Sequence, residues 1–387
     1  MNMRVLIVIV WDGGGVITAM RNVATHLRDK GVVFSAFCFN GLAPNSRWGE
    51  FCENLYSNRE ISLTQLLVSE KFDVVHILEE AGPAPYSANL WLDRAAFKGG
   101  VVCMSQNTIH AMEPEQFAHV YIACSDASRD FMRKFISKAP IRVIPNGVDA
   151  EHFQPRPVQP RDVPPRPVLA WVGRSTDLKQ KDVFAFLHLA AALADEKDPG
   201  YDFWIADADP ENPLLRLCDW FGERVQYRNQ LTRDQIASFF NQVAASGGAV
   251  VSTSAFEGLP FAMLEAAACG CPIIAPRAPG FEYIRDGTSG LLYDRRDGVC
   301  ELKKCVSRLK DPAVRQALVN GAATDIKSIF NSRTMADGYY SAFVDAIESA
   351  RVTQNRRARA WDALHGEFYA RAIQAMRFFR SLRSSRA

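Results

Sequence analysis

Apolar runs and longer amphipathic segments alternate along most of this chain. In the first half, Val5–Val10, Val32–Phe39, Val74–Leu78, Val101–Met104 and Val120–Ala123 predict strands, while segments such as Thr18–Arg28 and Asp126–Phe135 predict helices between them. Regular alternation of this kind predicts a doubly wound parallel α/β sheet. From Gln154 to Pro167 six prolines, at positions 155, 157, 160, 164, 165 and 167, resist both helix and sheet, and the stretch reads as a linker. Alternation then resumes with Val168–Val172, Val183–Ala194, Phe203–Ala206, Arg233–Asn241 and Ala249–Ser252. The pattern predicts two Rossmann-like domains, residues 1–153 and 168–333, joined by the linker 154–167 and followed by a helix over 334–350 and a tail over 351–387.

The densest chemistry lies in Glu257-Gly-Leu-Pro-Phe-Ala-Met-Leu-Glu265. Pro260 suits the first helical position and Gly270 the position just past the helix end, so a helix is expected from Pro260 to Cys269. Glu265 is its only ionisable residue on an otherwise apolar surface, and a buried carboxylate needs partners. Glu257 precedes the same helix, where exposed N–H groups and the macrodipole favour anionic or hydroxyl-rich ligands. The apolar runs on either side place this turn at the carboxyl edge of a parallel sheet, where open α/β sheets bind ligands.

Composition narrows the class. A chain of 387 residues with 48% hydrophobic content can bury two ordinary cores, and 23% charged residues is the balance of a soluble protein. Nine scattered cysteines without zinc-ligand spacing point to reduced thiols in a cytoplasm. Arg4-Val-Leu-Ile-Val-Ile-Val runs straight into Asp12 and the glycines, so it reads as a first buried strand rather than a signal peptide, and no transmembrane helix is expected. Gly13, Gly14 and Gly15 let backbone N–H groups approach a phosphate or sugar, but they lack the dinucleotide-binding spacing. Gly173 and Arg174 end the first strand of the second domain, and fixed cations there suit a leaving diphosphate.

Glu257 and Glu265, with seven residues between them, resemble the paired-glutamate motif of retaining glycosyltransferases of family 4. Other segments fall in the matching order: Trp11-Asp-Gly-Gly-Gly-Val, Val143-Ile-Pro-Asn-Gly-Val-Asp149, Trp171-Val-Gly-Arg174, Ala278-Pro-Gly-Phe-Glu282 and Asp286-Gly-Thr-Ser-Gly290. The resemblance extends to about residue 350 and implies a GT-B fold, two Rossmann-like domains facing across a cleft. The first domain would bind the acceptor, the second the donor, and the 334–350 helix would return to the first. It further implies that Glu265 binds ribose hydroxyls, that Glu257 contacts the transferred sugar, and that the backbone of Gly258, Leu259, Pro260 and Phe261 helps hold sugar and phosphate. Gly14, Gly15 and Gly173 complete the expected donor site, a UDP-sugar or GDP-sugar being the substrate, with no resident cofactor or metal. Arg174 and a lysine would carry the leaving-group charge. Counting from Arg174 selects Lys179, which is preferred, and counting back from the following helix selects Lys181. Many family members place a histidine near the sugar where this chain has Gln106, so either Gln106 acts there or His110 reaches in. Glu282 either contacts a sugar or caps a helix over Phe281–Arg285.

A glycosidase, with two acids straddling one bond, is the competing chemistry. Here one acid lies about 8 Å along a helix that the other precedes, so the pair lines one ligand. The tail carries nine arginines against Asp362 and Glu367, with Trp361, Leu364, Phe368, Ala372, Ala375, Phe379 and Leu382 in a helical stripe. Such a helix suits an anionic membrane surface, its own domain or a second subunit, and no base-reading module points to nucleic acid. The expected protein is a cytoplasmic, retaining, metal-independent glycosyltransferase, peripheral at the inner membrane face and acting on a glycolipid or surface-polysaccharide precursor. The alternatives are a soluble transferase or synthase on a small or storage glycan, and a sugar-nucleotide binder without turnover.

Overall fold

The structure, a computed structural model, describes residues 2–10, 12, 14–43, 46–78, 92–105, 118–194, 200–209 and 224–352. Gln106, His110 and the tail from residue 353 lie outside these residues.

The first sheet holds β1 (Met3–Ile9), β2 (Val32–Cys38), β3 (Asn54–Ser57), β4 (Val74–Leu78), β5 (Gly100–Ser105), β6 (Val120–Ala123) and β7 (Ile141–Val143). All seven are parallel in the order β3-β2-β1-β4-β5-β6-β7. The second holds β8 (Val168–Gly173), β9 (Asp202–Asp207), β10 (Val225–Asn229), β11 (Ala249–Val251), β12 (Ile273–Pro276) and β13 (Leu291–Tyr293) in the order β10-β9-β8-β11-β12-β13. Each sheet is doubly wound, and the connections change direction between β1 and β4 and between β8 and β11. Ligands of such sheets sit outside the strand ends at that switch.

Helices cover both faces of each sheet because the strands are apolar on both. The helix α1 (Gly15–Leu27) buries Val16, Ile17, Met20, Val23, Ala24 and Leu27 at three- and four-residue spacing against β1 and β2. The short α2 (Leu63–Ser69) opens with a Ser62/Gln65 capping box, and α3 (Asp126–Met132) is capped by Ser125. In the second domain α4 (Val183–Ala194) packs on one face of the sheet, while α5 (Arg233–Ala245) and α6 (Phe261–Ala268) pack on the other.

Two expected helix boundaries change. The glutamate helix starts at Phe261, and Pro260 stands outside it at the cap with ψ 118°, an extended value. Residues Phe281–Arg285 form turns, so there is no helix for Glu282 to cap; its carboxylate accepts from the Gly280 N–H at 2.9 Å.

The chain leaves the first domain at residues 144–149 and re-enters it at 330–332, and these two crossings lie side by side. Val148 N–H donates to Phe330 C=O, and Ser332 N–H donates to Val148 C=O. A Cβ at Gly147 would collide with the Asn331 carbonyl, which is why glycine stands there. Beyond the crossing, helix 332–352 inserts Met335, Ala336, Tyr339, Ala342, Phe343 and Ala346 into the core beneath β1, β2, β4 and β5. His76 on β4 is fully buried beside it, its ring 5.6 Å from Tyr339 and 5.5 Å from Phe343, and desolvation pushes it down to about 4, so it stays neutral. Among the described residues no helix is long and apolar enough to cross a membrane.

Phe343→Ala should cost about 3–5 kcal/mol, the usual loss for an emptied aromatic core position. Urea unfolding measures it, and a loss under about 1 kcal/mol would show that helix 332–352 is not part of this core.

Candidate active site at the facing strand ends

The second-domain switch point is built around one carboxylate. Glu257 follows β11, is 6% exposed, and accepts hydrogen bonds from Lys181 Nζ (2.5 Å), Ser254 Oγ (2.6 Å) and Gln180 Nε2 (3.1 Å). Three donors, one of them the Lys181 counter-ion, satisfy a charge that would otherwise be costly to bury. Its backbone is equally constrained, since the Glu257 N–H donates to Pro279 C=O, and a Cβ at Gly280 would strike the Glu257 carbonyl. Gly280 also has φ +88°, so glycine is required there twice over.

The lysine loop is held by a chain of hydrogen bonds from the core outward. Trp171 Nε1 donates to Thr253 Oγ1, and that hydroxyl reaches the carbonyls of Lys181 and Asp182 at 2.8 Å. Asp182 adopts φ +48° and is tied by its carboxylate to Arg295 at 2.7 Å. These restraints turn Lys181 inward to Glu257 and leave Lys179 exposed. Of the two candidate lysines it is Lys181 that pairs with Glu257. Local spacing could not reveal this, because a left-handed residue at 182 sets the turn.

Arg174 follows Gly173 at the end of β8, exposed, with Asp177 3.6 Å away. A Cβ at Gly173 would press on the Trp171 ring, so tight packing also explains that glycine. The next two residues are anchored to the neighbouring strand end. Ser175 N–H (3.1 Å) and Oγ both donate to the buried Asp207, which also accepts from Tyr227 OH at 3.1 Å. Thr176 N–H and Oγ1 donate to Asp209 at 3.0 and 2.6 Å. Asp207 and Asp209 thus fix the position from which Arg174 extends.

Glu265 occupies the second turn of α6 and is only half-buried. Desolvation pushes its carboxyl up to about 7, with Arg233, Arg47 and Arg21 pulling it down. Arg21 and Arg47 belong to the first domain, so Glu265 faces the interdomain cleft. Other contacts join the same two edges. Asn146 Nδ2 donates to Leu259 C=O at 2.7 Å, and Phe261 packs against the first-domain core. Gly14, with φ +84° and open space where a Cβ would stand, precedes Gly15 at the start of α1, at the carboxyl end of β1.

The structure therefore gathers Glu257, Gly258, Leu259, Pro260, Phe261 and Glu265 along one turn and helix, with Lys181 reaching Glu257 from the loop after β8 and Gly173 and Arg174 at the adjacent strand end. Lys179 is exposed on that loop. Sequence reasoning missed Gln180, Ser254, Asn146, Asp207 and Tyr283. The Tyr283 hydroxyl is pushed up by burial and by the nearby Glu257 and Glu282 carboxylates, and it has no hydrogen-bond partner. Asn146 and Tyr283 stood within segments already singled out. Among the described residues no group of histidine, cysteine and carboxylate side chains could hold a metal ion.

The raised Glu265 carboxyl makes stability depend on pH. The folded state holds a proton that the unfolded chain releases near 4.5, so stability is full below that value and declines as pH rises towards about 7. Glu265→Gln should consequently match the parent at pH 4.5 and exceed it by about 1–2 kcal/mol at pH 8, a figure reduced for partial contact with water. Urea unfolding at the two pH values decides this; an equal offset at both would show that the carboxyl does not titrate in this window.

Residues 166–311 match the family model described as Glycosyl transferases group 1. D-inositol 3-phosphate glycosyltransferase of Acidothermus cellulolyticus is 29% identical over 233 residues, 56% of this chain and 50% of that protein. MMP alpha-(1->4)-mannosyltransferase of Mycolicibacterium hassiacum is 27% identical over 247 residues, 62% of this chain and 56% of that protein. The chain spans about half the length of the curated relatives it matches. Among solved structures, sucrose-phosphate synthase from Thermosynechococcus elongatus superposes with TM-score 0.69 at 20% identity, covering 90% of this chain and all of that one. Anabaena HepE in complex with UDP and glucose gives TM-score 0.70 at 18% identity, covering 89% and 100%. The chain has the GT-B fold, and its second domain is similar in sequence to the Glycosyl transferases group 1.

Proposed function

We propose that this chain is a glycosyltransferase that moves a sugar from a UDP-sugar or GDP-sugar to an acceptor hydroxyl with retention at the anomeric carbon and without a metal. One observation carries the reading. A buried, lysine-paired Glu257 and a half-buried Glu265 lie one helix turn and more apart, at the switch point of a GT-B second domain. Glu265 accepts from the ribose hydroxyls. Glu257 accepts from hydroxyls of the transferred sugar, and Arg174 and Lys181 stabilise the charge that builds on the departing diphosphate. The bond from the anomeric carbon to the diphosphate oxygen breaks, and the acceptor oxygen bonds to the same face of that carbon. The acceptor's proton passes to the departing phosphate oxygen. The similarity to glycosyltransferase structures, one of them in complex with UDP and glucose, supports the donor class.

The acceptor in this reading is a glycolipid or surface-polysaccharide precursor at the cytoplasmic membrane face. That part rests on the basic, apolar-striped composition of residues 351–387.

A panel of UDP-, GDP- and ADP-sugars, each followed for release of the nucleoside diphosphate, tests the activity; no release with any donor would sink the reading. With the active donor, Arg174→Ala and Lys181→Ala should each lower turnover by on the order of a hundredfold or more, and Lys179→Ala by less than about threefold. Thermal unfolding of each variant separates lost catalysis from lost folding. A larger loss in Lys179→Ala than in Lys181→Ala would reject the role given to the Lys181–Glu257 pair.

A further inference from the structure

The turn that carries the chain from Glu257 into α6 is gripped from two sides. The Leu259 side chain is buried in the second-domain core. Its carbonyl is held from elsewhere. Pro260 has no N–H, so the Leu259–Pro260 peptide has that carbonyl as its single hydrogen-bonding group. The group is taken by Asn146 Nδ2 at 2.7 Å, a donor from the segment that crosses between the domains.

Asn146 stands on a rigid mount. The Gly147 N–H donates to Met335 Sδ at 3.1 Å, and the Gly147 carbonyl accepts from the buried Asn22 Nδ2 of α1 at 2.8 Å. One residue further on, Val148 is paired with Phe330 and Ser332. The backbone beside Asn146 is therefore tied to α1, to helix 332–352 and to the returning chain. Asn146 itself is 2% exposed, and its Oδ1 meets no hydrogen-bond partner among the described residues. A buried amide left half-unpaired is a poor choice for stability alone. What the side chain does achieve is the bond to Leu259.

We propose that Asn146, fixed on the crossing by its neighbours' bonds to Asn22 and Met335, is a positioning residue that sets turn 258–261, and with it Glu257, for sugar transfer. This role rests on the transferase reading for its chemistry. The nucleotide is left to Glu265, which α6 carries on a base of Met263, Leu264, Ala266 and Ala267 buried in the second-domain core. Release of the Leu259 carbonyl thus moves the groups at the transferred sugar without loosening the nucleotide, and a displacement of about 1 Å there is enough to cost a large factor in rate.

Asn146→Ala in the full chain tests this with the sugar nucleotide that the donor panel turns over. Its kcat should fall by about tenfold, while KM for the donor and the affinity for the nucleoside diphosphate, read by calorimetry, stay within about twofold of the parent. Hydrogen exchange followed by mass spectrometry should show faster exchange of the amides over 258–264, with β11 protected as before. An unchanged kcat, unchanged exchange over 258–264, or a nucleotide affinity that falls as far as kcat each overturns the proposal. If Asn146→Ala fails to fold, Asn22→Ala, which loosens only the mount, decides by the same split between kcat and affinity. A donor panel without release rejects the transferase reading, and the exchange of 258–264 then decides by itself whether Asn146 holds the turn.

Discussion

A buried carboxylate at the end of a parallel strand has to be neutralised by its surroundings, and the way Glu257 is neutralised organises the whole second-domain site. Its lysine partner must come from the loop after β8, across the switch point, so that loop has to be drawn over the strand ends. Drawing it there requires the left-handed turn at Asp182, the Thr253 hydroxyl that ties down two carbonyls, and the Gln180 side chain that fills the second carboxylate oxygen. Removing one member of such a pair leaves an unpaired buried charge, which is more costly than never having built the pair. The site is therefore a single unit in which the binding groups also serve as each other's solvation.

The same economy appears between the domains. The two crossings at 144–149 and 330–332 form a narrow band of backbone hydrogen bonds, and helix 332–352 commits the end of the chain to the first core. Close to this band, Asn146 reaches the Leu259 carbonyl and Asn22 reaches the Gly147 carbonyl, each at or below 2.8 Å. The Gly-Leu-Pro turn of the second domain is thereby registered on the chain segment that leaves the first. The opposing faces of the cleft are consequently set by short polar contacts near the crossing.

What the sequence made legible follows from how each feature is encoded. Strands such as β1, β4 and β8 are long apolar runs buried on both sides, and periodicity reports them directly. Edge strands β3 and β7 carry exposed or half-buried residues over three or four positions, so no run distinguishes them from loops. The paired glutamates were visible because both acids and the helix between them are contiguous. Which lysine pairs with Glu257 was not legible, because two lysines separated by one residue differ only in the turn that follows, and that turn is fixed by contacts with residues 253 and 295, far along the chain. Nothing within the segment Thr18–Arg28 marks Arg21 as buried, and its partner Glu50 lies on another element. Features written in one segment are legible, and features written in the meeting of several are not.

The two glutamates also differ in a way that their spacing cannot convey. Glu257 has three donors, one of them the Lys181 cation, in place before any ligand arrives, so it presents an already ordered charge. Among the described residues Glu265 has long-range attraction from arginines and no such shell, and burial pushes its carboxyl up to about 7. A group held in that condition binds most strongly to whatever supplies the missing donors, because the protein does not offset its desolvation. Hydroxyl donors do so without adding a second charge, which is what the ribose of the proposed donor would offer. Stability left unclaimed at Glu265 in the free protein is thus available as affinity when the ligand closes the shell.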